Sequence, residues 1–62
     1  MNRVGDRVRL VNLADHEESH LVKRGDEGFV DFIDDIGTVH VRWDSGNSLG
    51  LIPGRDLWET VR

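Results

Sequence analysis

The chain of 62 residues has no cysteine, no tyrosine, one proline and one methionine. Without cysteine there is no disulfide, no thiolate metal ligand and no thiol nucleophile, so stability must come from packing alone. Two Phe and two Trp are the only aromatics, too few to line a groove for proline-rich peptides. No apolar run approaches the roughly 18 residues of a membrane span, and the opening MNRVGDRVRL lacks the apolar centre of a signal peptide. The expectation is a soluble cytoplasmic protein without membrane association.

Size sets a further limit. A chain this short buries only about 60% of the surface its unfolded form exposes, so a deep catalytic cleft would compete with the core for the same few apolar side chains. Hydrophobic residues make up 37% and charged residues 32%, which suits one small globular domain over residues 1–62 rather than a disordered tail. The net charge of −4 is unevenly laid out: residues 1–11 carry three Arg against one Asp, residues 12–37 two basic against eight acidic, and residues 38–62 three against three. Such a chain repels a phosphate backbone on average, while a local basic face is still allowed.

What is present is dominated by period two, the mark of half-buried strands. In RVGDRVRLV (3–11), Val8 and Leu10 share one face and Arg7 and Arg9 the other. In TVHVRWD (38–44), Val39, Val41 and Trp43 point inward, and Thr38, His40, Arg42 and Asp44 outward. EGFVDFID (27–34) has apolar residues of both parities, so it is expected to bend or bulge, with one of its two Phe facing water. Gly37 sits where a turn needs positive φ, and Ser45-Gly46 makes a tight hairpin loop into a strand over 47–52. Pro53 ends that strand in favour of one 3₁₀ turn before a last strand, LWETV. Five short strands with a long first loop describe an all-β, five-stranded SH3-like barrel.

HEESH (16–20) matches the His-Glu-x-x-His pattern of zinc metalloproteases. Two His four residues apart can share one face of a helix, and Asp15 with Glu18 has the spacing of a capping box. The helix would be about two turns long, with no apolar stripe to anchor it and no room for substrate beside so small a core. The expectation is an acidic, His-bearing loop that helps choose a partner and makes that choice sensitive to pH near the ordinary histidine value, about 6.5. No metal, no cofactor and no catalytic residue is assigned. Asp34 and Asp35 read as turn residues, not as an acid–base pair.

The segments GDRVRLV, GDEGFV, GTVHVRWDSG and LGLIPGRD together resemble a small bacterial and phage domain family of unknown function with an SH3-like barrel. Its middle is similar to the KOW motif of ribosomal and transcription-elongation proteins. The resemblance runs from Val4 to about Val61, and WDSG and LGLIPG are its most specific parts. It implies a barrel and a binding role, with no catalytic residues to carry over. In the early loop ADHEESHLVKR stands where the family commonly has a Pro-containing segment.

The partner-binding candidates are Arg7, Arg9, Phe29, His40, Arg42 and Trp58. The first five fall on the outer sheet face, where an aromatic flanked by arginines can stack on a base while phosphates are neutralised. Trp58 is a contact candidate because it and Leu57 cannot both point inward. The leading expectation is a non-enzymatic protein-interaction module or accessory factor, of phage or mobile-element origin. The alternative is a KOW-like nucleic-acid-binding domain, and a third reading is self-association through the barrel surface.

Overall fold

Each period-two segment forms a strand. In the computed structural model, which describes residues 2–14 and 20–61, β1 is Arg7–Asn12, β2 Glu27–Ile33, β3 Val39–Trp43, β4 Gly50–Leu51 and β5 Leu57–Val61. They make one sheet in the order β4-β3-β2-β1-β5, with every neighbouring pair antiparallel. Among the described residues there is no helix. The sheet curls over its core in the manner of a small barrel.

On β1 and β3 the core is the inner face foreseen from alternation, and Val30 and Leu51 add to it. Val8 and Leu10 of β1, Val30 of β2, Val39, Val41 and Trp43 of β3 and Leu51 of β4 are all buried. Leu13 and Val22 join them from the long loop between β1 and β2, a contribution that periodicity does not reveal because the loop has none. Trp43 satisfies its indole N–H by donating to the Leu49 carbonyl at 2.9 Å, so even the largest core side chain leaves no polar atom unpaired. At Gly28 a Cβ would stand 2.5 Å from the Arg42 carbonyl oxygen and 2.8 Å from the Trp43 Cα. Only glycine lets β2 and β3 approach this closely, and this is where the sheet can curl.

Strand ends differ from expectation for local reasons. β1 starts at Arg7 because Arg3–Asp6 is a turn, closed by Asp6 N–H to the Arg3 carbonyl at 3.0 Å and by Arg3 N–H to the Asp6 carboxylate at 2.9 Å. β4 keeps only two residues of the expected 47–52, since Asn47 closes the hairpin to Trp43 and Leu49 serves the Trp43 indole. Gly37 has φ 89°, as its turn requires. Asp34 acts as the turn residue expected, its carboxylate accepting from Ile36 N–H and Thr38 N–H at 3.0 Å each.

β2 bulges at Asp31, which the register skips between Val30 and Phe32. Before the bulge even-numbered side chains point inward; after it Ile33, opposite Val39, takes that side and Phe32, opposite His40, turns outward. Both Phe are therefore exposed, Phe29 by 51% and Phe32 by 49%, where one was expected.

After β4 the chain turns through Pro53–Asp56. Arg55 N–H reaches the Ile52 carbonyl at 3₁₀ spacing, 3.1 Å, and Asp56 N–H reaches the same oxygen at 2.9 Å, so one turn is present without a helix. Asp56 is the buried charged residue of this turn. Its carboxylate accepts from Ile52 N–H at 2.9 Å, from Ala14 N–H at 3.1 Å and from the Arg55 guanidinium at 2.9 and 3.1 Å. Burial pushes this carboxyl up, but the Arg55 side chain and the two N–H groups outweigh it and hold the pKa below the ordinary value. Of HEESH, His16, Glu17, Glu18 and Ser19 lie outside the described residues, as does Asp15, and His20 is exposed.

Candidate binding face

Strand registers place the outward side chains in rows across the sheet. One row is Val61–Arg7–Phe29–Arg42, the next is Glu59–Arg9–Glu27, and beyond the bulge Phe32 faces His40. Alternation alone assigns the face; the rows follow only from register, which sequence does not carry.

The arginines are already occupied. Arg7 donates to Glu27 at 3.1 Å and to Asp44 at 2.8 Å, with a second bond to the other Asp44 oxygen. Arg9 donates to the other Glu27 oxygen at 3.1 Å and to Glu59 at 2.6 Å. Glu27 thus bridges both cations, and Arg9 first, then Arg7, holds its carboxyl below the usual range against the opposing effect of burial. Asp44 is lowered by Arg7. The Arg7 and Arg9 pKa values are raised in turn, chiefly by Asp44 and by Glu59 respectively. Such half-exposed pairs add little stability; their effect here is to cancel charge.

The aromatics stay accessible on top of this network. The Arg7 guanidinium lies 4.6 Å from the Phe29 ring centroid, a cation–π contact that covers part of one ring. Phe32 stacks on His40 with centroids 4.1 Å apart and planes 6° from parallel. His40 Nε2 meets Asp34 at 2.9 Å, and this contact, ahead of the N–H bonds from the turn, keeps the Asp34 carboxyl below its ordinary value. Arg42 is the loosest cation of the face: its side chain is 77% exposed and its carboxylate neighbour, Asp31, is 3.9 Å away.

A family model described as a domain of unknown function, DUF4314, matches residues 2–61. The chain belongs to the DUF4314 family. No curated protein and no solved structure matches it.

On this DUF4314 chain, five of the six candidates, Arg7, Arg9, Phe29, His40 and Arg42, share the outer face. Trp58 is not with them. Its ring packs against the core cluster and its indole N–H donates to the Asn2 side chain at 2.9 Å, while Leu57 takes the outward position. Sequence reasoning passed over Phe32, whose outward turn depends on the bulge, and the carboxylates Glu27, Asp44 and Glu59, which reach the arginines from three other segments. The mixed parity of β2 was the available signal for Phe32. Among the described residues no group of three or more His, Asp or Glu is placed to hold a metal ion, and no helix is long and apolar enough to cross a membrane.

Proposed function

We propose that this chain is a non-enzymatic binding module, an SH3-like barrel that docks a protein partner on the outer sheet face around Phe29 and Phe32. The observation that carries the reading is that two exposed Phe rings stand on a face whose charges are internally cancelled. Arg7, Arg9 and Arg42 are met by Glu27, Asp44, Glu59 and Asp31. A polyanion gains little there, since each arginine would have to leave a carboxylate to reach a phosphate. A protein surface gains by covering the rings and leaving the ion pairs at its rim.

The test is a nuclease-treated pull-down from native extract with the wild type and a Phe29→Ser/Phe32→Ser variant. A protein retained by the wild type and lost from the variant is the expected result. Recovery of nucleic acid alone from untreated extract overturns the proposal.

One observation favours a second, KOW-like reading, in which the face takes a nucleic acid. Arg42 is exposed beside Phe29, a cation and a ring on which a base can stack. That reading requires a fluorescence anisotropy change with single-stranded RNA at low salt, weaker as salt rises and weaker still in Arg42→Ala.

A further inference from the structure

Among the described residues β5 is an edge strand, with β1 on one side and no strand on the other. Ladder alternation decides which of its backbone groups are free. Leu10 N–H donates to the Asp26 carbonyl at 2.8 Å, and the Leu10 carbonyl accepts from Gly25 N–H at 2.9 Å. Up to the register shift that follows Leu10, the even-numbered positions of β1 therefore face β2, and Arg7 and Arg9 turn their backbone groups to β5. Their partners Val61 and Glu59 face back to β1, which leaves N–H and C=O of Trp58 and Thr60 directed away from the sheet. Among the described residues no backbone bond beyond the β1 ladder involves these four groups. β5 contains no Pro and no Lys, two of the devices that discourage strand addition; its one charge is Glu59, and the β1–β5 ladder bulges only at Val11, between Leu10 and Asn12.

We infer that this edge accepts an extended segment of a partner protein as an added antiparallel strand, and that the segment carries a basic residue between two apolar ones at alternate positions. The pattern comes from the outward side chains of β5. Leu57 is 61% exposed, Val61 is half-buried, and between them stands Glu59. Glu59 uses one oxygen for Arg9, and the chain around it carries net −4, so a basic residue opposite it is complementary. On the inner side, Trp58 walls an apolar depression of about 470 Å³ with Ile33, Val39 and Pro53. The segment's side chain next to Trp58 projects to that side and is apolar.

A second copy of this chain fits less well. The two-fold register that satisfies all four groups sets Trp58 against Thr60 of the copy and Glu59 directly against the copy's Glu59, a like-charge pair at the closest spacing in a ladder. The site is separate from Phe29 and Phe32 and does not depend on their binding anything.

The probes are two blocked heptapeptides, TVTKLVT and TVTELVT, titrated at low salt into the isotope-labelled 62-residue chain. In antiparallel register the central residue meets Glu59 and the Leu lies beside Trp58. The Trp58 and Thr60 amide signals should shift and exchange more slowly with solvent, and the Lys peptide should bind about fivefold tighter than the Glu peptide. Thr60→Pro deletes an N–H that faces outward, which an edge strand tolerates, and should abolish binding; Thr60→Val, which also removes the hydroxyl that accepts from Asn2 at 3.1 Å but keeps the N–H, should not. Glu59→Lys should reverse the peptide preference, which keeps the question open to test if the proline variant does not fold. Phe29→Ala should leave binding unchanged. Equal affinity for both peptides, shifts confined to the Phe29 and Phe32 face, or no shift at millimolar peptide overturns the inference. So does a concentration-dependent dimer that Thr60→Pro dissolves, since the occupant is then a second copy.

Discussion

The two edges of the sheet are finished in opposite ways. β4 lasts two residues, and directly after it the Ile52 N–H is taken by the Asp56 carboxylate and the Ile52 carbonyl by Arg55 N–H and Asp56 N–H, before Pro53 removes the next donor. β5 runs for five residues, and among the described residues no strand pairs with its outer side. A single residue, Asp56, closes one edge and ends the turn that launches the other. An open edge on so small a domain is a hazard for aggregation unless it is used, which ties the β5 inference to the economy of the fold.

The comparison breaks most easily at Asp56. Asp56→Ala leaves Ile52 N–H and Ala14 N–H without their acceptor and removes the Asp56 contact of Arg55, and should cost about 3 kcal/mol in urea denaturation. Asp56→Asn keeps one acceptor oxygen and should cost roughly half as much. Equal stability of wild type and Asp56→Ala would show that the β4 edge needs no closure.

The same carboxylate should be visible in acid. Its folded pKa lies below the ordinary value, so its contribution is complete above the unfolded Asp pKa of about 3.9 and is lost as pH falls through the folded pKa. Glu27, Asp34 and Asp44 are lowered as well, and they act in both proteins when wild type is compared with Asp56→Asn. The stability gap between the two should hold steady from about pH 8 to 5 and narrow below about pH 4. A gap that is unchanged at low pH assigns the acid loss to the surface carboxylates.

Legibility followed the range of the interactions. Val39, Val41 and Trp43 were legible as core because alternation is a property of neighbours, and Asp34 as a turn residue because its bonds reach only Ile36 and Thr38. Arg7 and Arg9 could be placed on the outer face, but their neutralisation by Glu27, Asp44 and Glu59 spans up to 50 residues of chain and needs the register. Asp56 is the extreme case: in sequence it is one more acid after a proline, and its role rests on Ala14, 42 residues away. Of Trp58 and Leu57 the sequence favours Trp58 as the contact residue, whereas Leu57 is the exposed one and Trp58 packs against the core with its indole N–H donated to the Asn2 side chain.

The smallest effect is the most direct reading of the two edges. In the free protein Ile52 N–H is bonded to a buried carboxylate, whereas Thr60 N–H points to solvent by the alternation of the ladder. Ile52 directly follows β4 and Thr60 lies next to the last residue of β5, so the comparison is between the local closures of the two edges. Ile52 should exchange at least about tenfold slower than Thr60, by amide exchange NMR at neutral pH. Asp56→Asn should bring the two closer without slowing Thr60, because it loosens the closed edge and adds nothing to the open one. A Thr60 amide as protected as that of Ile52 would mean that something already covers the β5 edge, and the strand-addition site would have to be sought elsewhere.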